Sequence, residues 1–242
     1  MHDVDTSLLV ATGNSGKRRE FETLLGPLLG DSWKVFDRKT WPDPLPEVIE
    51  DAETFTGNAI KKALEPARQT GACVLSDDSG LVVDALGGRP GVYSARYAGP
   101  NATDEDNNRL LVRELAGVPF EKRSARYVAV ICLVLINNTI GRALLSRRGL
   151  TFADIPVHDS PGEGELVRCG DEAMVFFEGT VEGKIIDEAC GAGGFGYDPY
   201  FLVEAWGKTM AEVPLSQKNT ISHRARASDK LLEFFRSEVE GI

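Results

Sequence analysis

Several features that would make a function easy to read are missing from this chain of 242 residues. Its four cysteines, Cys73, Cys132, Cys169 and Cys190, show no close pair and no C-x-x-C spacing. That pattern gives a disulfide scaffold or a cysteine zinc site little support and leaves reduced, mostly buried thiols as the expectation. No apolar run is long enough to span a bilayer, the longest being Tyr127 to Ile136, and no secretory signal pattern stands before Leu8. A soluble, cytoplasmic protein is expected. Positive charge is in deficit as well, with 27 Lys and Arg against 37 Asp and Glu and a formal net charge of -10. This balance argues against a general nucleic-acid binder and against an anionic membrane surface as partners, so any polyanionic ligand must meet a local basic pocket. No internal repeat is visible.

Apolar residues, at 42% of the chain, are sufficient for a substantial core in one large domain or two closely joined lobes. Strand-like runs occur at Leu8–Ala11, Cys73–Leu75, Leu81–Val83, Tyr127–Ile136 and Met174–Phe177. Helical spacing places Phe21, Leu24, Leu25 and Leu28 on one face, Ile60, Ala63, Leu64 and Ala67 on a second, and Leu110, Leu111 and Leu115 on a third. A last helix carries Leu231, Leu232, Phe234 and Phe235. Helices alternate with strands in the first half, and strands crowd between Arg126 and Ile186. The pattern predicts a mixed α/β sheet with an antiparallel portion. The Pro-rich stretch from Trp41 to Pro46 reads as a loop, and Asp154 to Asp171 as a polar excursion or flap.

Four segments carry chemistry. Thr12-Gly13-Asn14-Ser15-Gly16-Lys17 follows the first apolar run and precedes a helix, so its backbone N–H groups, the helix terminus and Lys17 suit anionic oxygen. The glycine spacing and Arg18 after the lysine exclude a nucleoside-triphosphatase P-loop, and an ordinary strand-to-helix turn remains open. Ser76-Asp77-Asp78-Ser79-Gly80 follows Leu75, which predicts paired carboxylates at the C-terminal end of a strand, where open α/β sheets bind ligands. Adjacent aspartates do not match the D-x-D of haloacid-dehalogenase-like phosphatases; an Asx-rich turn is the alternative. Glu50, from the acidic run Glu47–Glu53 ahead of a helix bearing Asn58, Lys61 and Lys62, is the candidate to turn inward and complete a hard oxygen site of the kind magnesium prefers. Gly193-Gly194-Phe195-Gly196-Tyr197-Asp198-Pro199 suits a flat ring beside main-chain groups, or is a Gly-rich turn with core aromatics. Finally, Lys218, His223 and Arg224 gather at the start of the last helix, as ligand donors or as an exposed basic turn.

Read together, ATGNSGKRREF from Ala11, SDDSGLVVDALGGRPGVYSARYAG from Ser76, GGFGYDPYF from Gly193 and SHRARA from Ser222 resemble the non-canonical purine nucleoside triphosphate pyrophosphatases, the inosine triphosphatase or Ham1-like family. The resemblance spans most of the chain. It implies a single elongated mixed α/β domain of two lobes with flanking helices and a central groove. It also implies a homodimer and magnesium-dependent hydrolysis of ITP, dITP and XTP to monophosphate and pyrophosphate. On that reading Asp78 is the general base, and Glu50, Asp77 and Asp78 hold magnesium. Thr12 to Lys17 seat the triphosphate, with Lys17, Lys62 and Lys218 supplying charge. Ser79, Phe195, Gly196, Tyr197, Asp198, His223 and Arg224 complete the nucleotide site. Ala52 and Gly57 depart from the Gly and Glu usual in the family, and residues 139–171, with Arg142, Arg147 and Arg148, look like an insertion. Two other readings stand beside this one: a Maf-like pyrophosphatase for modified pyrimidine nucleotides, and a nucleotide-binding module without turnover.

Overall fold

The computed structural model describes residues 4–12, 18–19, 21–23, 26, 33–158, 161–214, 218 and 221–236. One eight-stranded mixed sheet runs through them. Strand β1 (Ser7–Val10) lies between β2 (Lys34–Asp37) and β3 (Cys73–Val83), parallel to both. Beyond β3 the pairing turns antiparallel, through β4 (Ser124–Leu135), β6 (Glu172–Ile185), β7 (Phe201–Val203) and β8 (Lys208–Thr209), with β5 (Val167–Cys169) on β6. This is the mixed α/β sheet that the spacing of apolar runs predicts. Its parallel part needs a crossover helix, and its antiparallel part does not.

The crossover between β2 and β3 is α1 (Phe55–Thr70), which starts at Thr54, whose hydroxyl accepts from Gly57 N at 3.0 Å, and ends at Gly71 in the left-handed region. Its small inner face, Ala59, Ala63 and Ala67, lets it lie close on the sheet, and Ser76 Oγ ties strand to helix by donating to the Ala59 carbonyl at 2.6 Å. The two departures noted at 52 and 57 touch each other here. A Cβ at Gly57 would fall 2.8 Å from Ala52 Cβ, so a methyl at 52 is tolerated because 57 has none. Helix α2 (Asp104–Glu114) opens on a capping box between Thr103 and Asp106. Helix α3 (Thr139–Ser146) and the C-terminal α4 (His223–Phe235) complete the helical layers.

The core divides along the strands. Leu8, Val10, Leu75, Ile131 and Leu133 pack under α3 and α4 on one face, and Leu9, Val74, Val130, Cys132 and Val134 pack under α1 on the other. A third cluster at the far end joins Leu81, Val83, Tyr127 and Phe201 to Leu111 and Leu115 of α2. Between these apolar ends, residues 76–80 of β3 form a polar interval. Cys73 and Cys132 are buried, as expected, and burial pushes both thiols up to about 12. Cys190, by contrast, is exposed, because it sits in a loop and not in the sheet. Among the described residues no helix is long and apolar enough to cross a membrane.

Candidate active site

The motif Ser76–Gly80 does not end a strand. Cys73–Leu75 and Leu81–Val83 belong to one unbroken strand, in which Asp77 faces Ile131 and Asp78 faces Val130 across the ladder to β4. The expectation of a strand terminus fails because β4 supplies backbone partners throughout, so polar side chains need not break the pairing. The edge rule still has content here. β1 stops at Val10, and Ala11 N donates to the Leu75 carbonyl at 2.7 Å, so β3 runs past the carboxyl end of its parallel neighbour at the point where the aspartates begin.

Successive residues of a strand point to opposite faces, and the two aspartates do so. Asp78 turns toward α1, where Lys62 Nζ lies 3.2 Å from its Oδ1 and 3.4 Å from Glu50 Oε1. Glu50 sits ahead of the helix, with its own carbonyl accepting from Arg96 Nη2 at 3.2 Å. Burial pushes the Asp78 carboxyl upward, and the charges of Glu50 and Asp77 push the same way against the pull of Lys62. Burial alone would lower the Lys62 ammonium, but Asp78, Asp77 and Glu50 outweigh it and hold the group above its ordinary value.

Asp77 turns toward α4. Arg224 places Nε 3.1 Å from Asp77 Oδ2 and donates from Nη2 to Ser79 Oγ at 2.8 Å. The helix reaches the sheet there because Gly179 of β6 has no side chain. A Cβ at 179 would lie 2.1 Å from the His223 carbonyl and 2.5 Å from Ala227 N. Ser222 caps α4, and His223, its first residue, stacks on Tyr127 with centroids 5.0 Å apart and planes 12° from parallel. Asp77 was expected to join Glu50 and Asp78 as a metal ligand; its carboxylate pairs with the Arg224 guanidinium on the other face of the strand. Among the described residues no group of three or more His, Cys, Asp or Glu side chains is arranged to hold a metal ion.

The loop from Gly193 closes the site. Asp198 is buried, accepts from Phe195 N at 2.8 Å, forms an ion pair with Lys218 and hydrogen-bonds the Tyr127 hydroxyl. Lys218 was expected among the cations for the triphosphate. Its ammonium is matched by Asp198 and lies under the Phe195 ring, 4.7 Å from the centroid, so it belongs to the aromatic end. Phe195 itself is 62% exposed, while Tyr197 is buried and donates to the Ser94 carbonyl at 2.7 Å.

All of these groups line one cavity of about 360 Å³: Glu50, Lys62 and Asp78 at one end, Phe195, Lys218 and Arg224 at the other. Gly80 keeps the floor between them thin. A Cβ there would lie 2.4 Å from Ser94 Oγ and 2.6 Å from the Gly91 carbonyl, and Ser94 Oγ in turn accepts from Leu81 N at 2.8 Å. Thr12 is buried at the end of β1; Gly13, Asn14, Ser15, Gly16 and Lys17 lie outside the described residues. The sequence reading missed Tyr127, Ser94, Asp104 and Asn107, which also line the cavity. Ser94 stands inside a quoted motif and was legible there. Tyr127 was hidden in an apolar run, where its phenol looked like one more core aromatic.

Fold and cavity together define a mixed α/β protein with one cavity that has a carboxylate-rich end and an aromatic end. The chain belongs to the Ham1 family, whose profile matches residues 8–149 and 164–234. It is 44% identical over 222 residues to a dITP/XTP pyrophosphatase of Geobacter sulfurreducens, covering 92% of each chain. It is 40% identical to a dITP/XTP pyrophosphatase of Shouchella clausii, covering 97% of each. The solved Ham1 protein of Staphylococcus aureus superposes with a TM-score of 0.72 at 34% identity, over 94% of this chain and 97% of that one. The Coxiella burnetii HAM1 protein gives 0.73 at 33% identity, over 94% and 96%.

Proposed function

We propose that this chain hydrolyses non-canonical purine nucleoside triphosphates, dITP, XTP and ITP, to the monophosphate and pyrophosphate, cleansing the nucleotide pool. The observation that carries the reading is the single cavity joining a carboxylate pair around one ammonium to an exposed aromatic ring beside a guanidinium. With a divalent cation between its carboxylates the first chemistry would suit a triphosphate, and the second suits a purine.

Cleavage of a phosphoanhydride depends mainly on placing water and stabilising charge. Asp78 takes the proton of the attacking water, since its carboxylate faces the cavity and its burial raises its basicity. Lys62 answers the negative charge that collects on the phosphates. Residues 12–17, with Lys17, are proposed as the seat of the triphosphate. Glu50 and Asp78 fit magnesium, which favours one or two carboxylates and leaves its other positions to water and phosphate. When bound, the ion would neutralise the pyrophosphate leaving group. Asp77 is not proposed as a ligand.

Base choice follows from hydrogen-bond sense. Hypoxanthine and xanthine offer a carbonyl at position 6, which satisfies donors on Arg224 or His223, whereas the adenine amino group leaves those donors unmet. Rejection of guanine falls to the Phe195–Asp198 loop, against which its 2-amino group is crowded or left unpaired. The reading includes a homodimer working in the cytoplasm, and light scattering tests the former. A panel of dITP, ITP, XTP, GTP and ATP with product identification tests the activity. Pyrophosphate and monophosphate from the first three, with little turnover of ATP, are expected. Release of orthophosphate, or equal rates across the panel, would overturn it.

A further inference from the structure

Gly196 is held by both of its backbone groups from one helix. Its N–H donates to Asp104 Oδ2 at 2.7 Å, and its carbonyl accepts from Asn108 Nδ2 at 2.9 Å. Asp104 is the first residue of α2 and Asn108 lies four residues on, so the two share a face. Asn107, beside them, bonds the opposite wall: its Nδ2 donates to the Ala95 carbonyl at 3.2 Å and its Oδ1 accepts from Ala98 N at 2.8 Å. The first turns of α2 thereby stitch together the two loops that wall the aromatic end of the cavity.

Phe195 needs such support. Its ring is 62% exposed, so apolar packing does not fix it, and its neighbours Gly194 and Gly196 restrict the backbone little. Its placement over Lys218 and Arg224, with ring centroid distances of 4.7 and 5.9 Å, therefore depends on what grips the adjoining peptides. Asp198 grips one side through Phe195 N, and α2 grips the other through Gly196. We infer that Asp104 and Asn108 are positioning residues that hold the Phe195 ring where a purine stacks, setting nucleotide affinity without entering the chemistry. The inference rests on the function proposed above. The Asp104 contact is charge-assisted and at the surface, so removing the charge, which leaves only a weaker amide acceptor, loosens the loop without hollowing the core.

The test compares Asp104→Asn with Glu105→Gln. Each removes one carboxylate from the first turn of α2 and the same favourable interaction with the helix N-terminus, but Glu105 pairs with Arg109 and does not reach the loop. Asp104→Asn is expected to raise KM for dITP about tenfold with kcat within about twofold of wild type, while Glu105→Gln changes neither. Calorimetric binding of IMP, which needs no turnover, should weaken in Asp104→Asn alone. In a Phe195→Ala background the Asp104→Asn effect on KM should vanish, because the carboxylate acts through the ring. Equal KM and equal IMP affinity for the two single variants, or full additivity with Phe195→Ala, would overturn the inference. If wild type binds IMP with this contrast yet releases no pyrophosphate from dITP, the hydrolytic reading fails and the positioning role stands.

Discussion

Asp77 and Asp78 are neighbours on one strand, and the two ends of the cavity differ as they do. At the Asp78 end, Lys62 serves both Asp78 and Glu50, so among the described residues negative charge is in surplus. At the Asp77 end, Asp77 is matched by Arg224 and Asp198 by Lys218, and the carboxylate of Asp104 is held by the Gly196 N–H. An acidic surplus in a buried site invites a further cation and, with it, phosphate. Where each charged group already has a partner, ligands are distinguished by hydrogen-bond direction and shape. The strand pleat produces this division, since a single residue step moves a carboxylate from the α1 face to the α4 face.

The largest effect that can break this comparison is in Asp78→Asn. Removing the base while keeping its size should lower kcat for dITP by about 10²- to 10⁴-fold with little change in KM, read as pyrophosphate release at saturating magnesium. Near-normal turnover would erase the catalytic end. Next is Gly80→Ala, at the joint between the two ends. The added methyl meets Ser94 Oγ and the Gly91 carbonyl, and the account expects about 1–3 kcal/mol of destabilisation in urea unfolding, together with a higher KM. Unchanged stability would mean that the floor yields freely. A smaller effect is expected of Asp77→Asn, which frees the Arg224 guanidinium. KM for dITP should rise several-fold and the preference for dITP over ATP should narrow, by about 1–2 kcal/mol in kcat/KM. Tyr127→Phe removes one bond to Asp198 and should cost about 1 kcal/mol in binding or stability, with kcat preserved.

How much of this was legible in the sequence differs by level. Strands β1, β3, β4 and β6, helices α1 and α2 and the last helix were readable because apolar spacing reports burial directly, whereas strands β2, β5, β7 and β8 and helix α3 were not. The merging of Cys73–Leu75 with Leu81–Val83 was not, since polar residues inside a strand look like a break until the partner strand β4 is known. The separate duties of Asp77 and Asp78 depend on which helix covers which face. Arg224 is 147 residues from Asp77, and no local pattern reports that contact. Lys218 was identified as a site residue, but its pairing with Asp198 was not, because Asp198 was read for its place in a loop and not for its charge. The acids ahead of α1 looked like helix-start charges, yet the helix has no acid in its first turn, and Lys61 and Lys62 reach back to Asp51 and Glu50.

A magnesium titration of dITP hydrolysis in Asp77→Asn and Glu50→Gln tests the division most directly. The account predicts that Glu50→Gln raises the magnesium concentration for half-maximal rate by about tenfold or more, while Asp77→Asn leaves it within about twofold of wild type. An equal rise in both variants would contradict it, because adjacent carboxylates would then serve one ion and not two ends of a site.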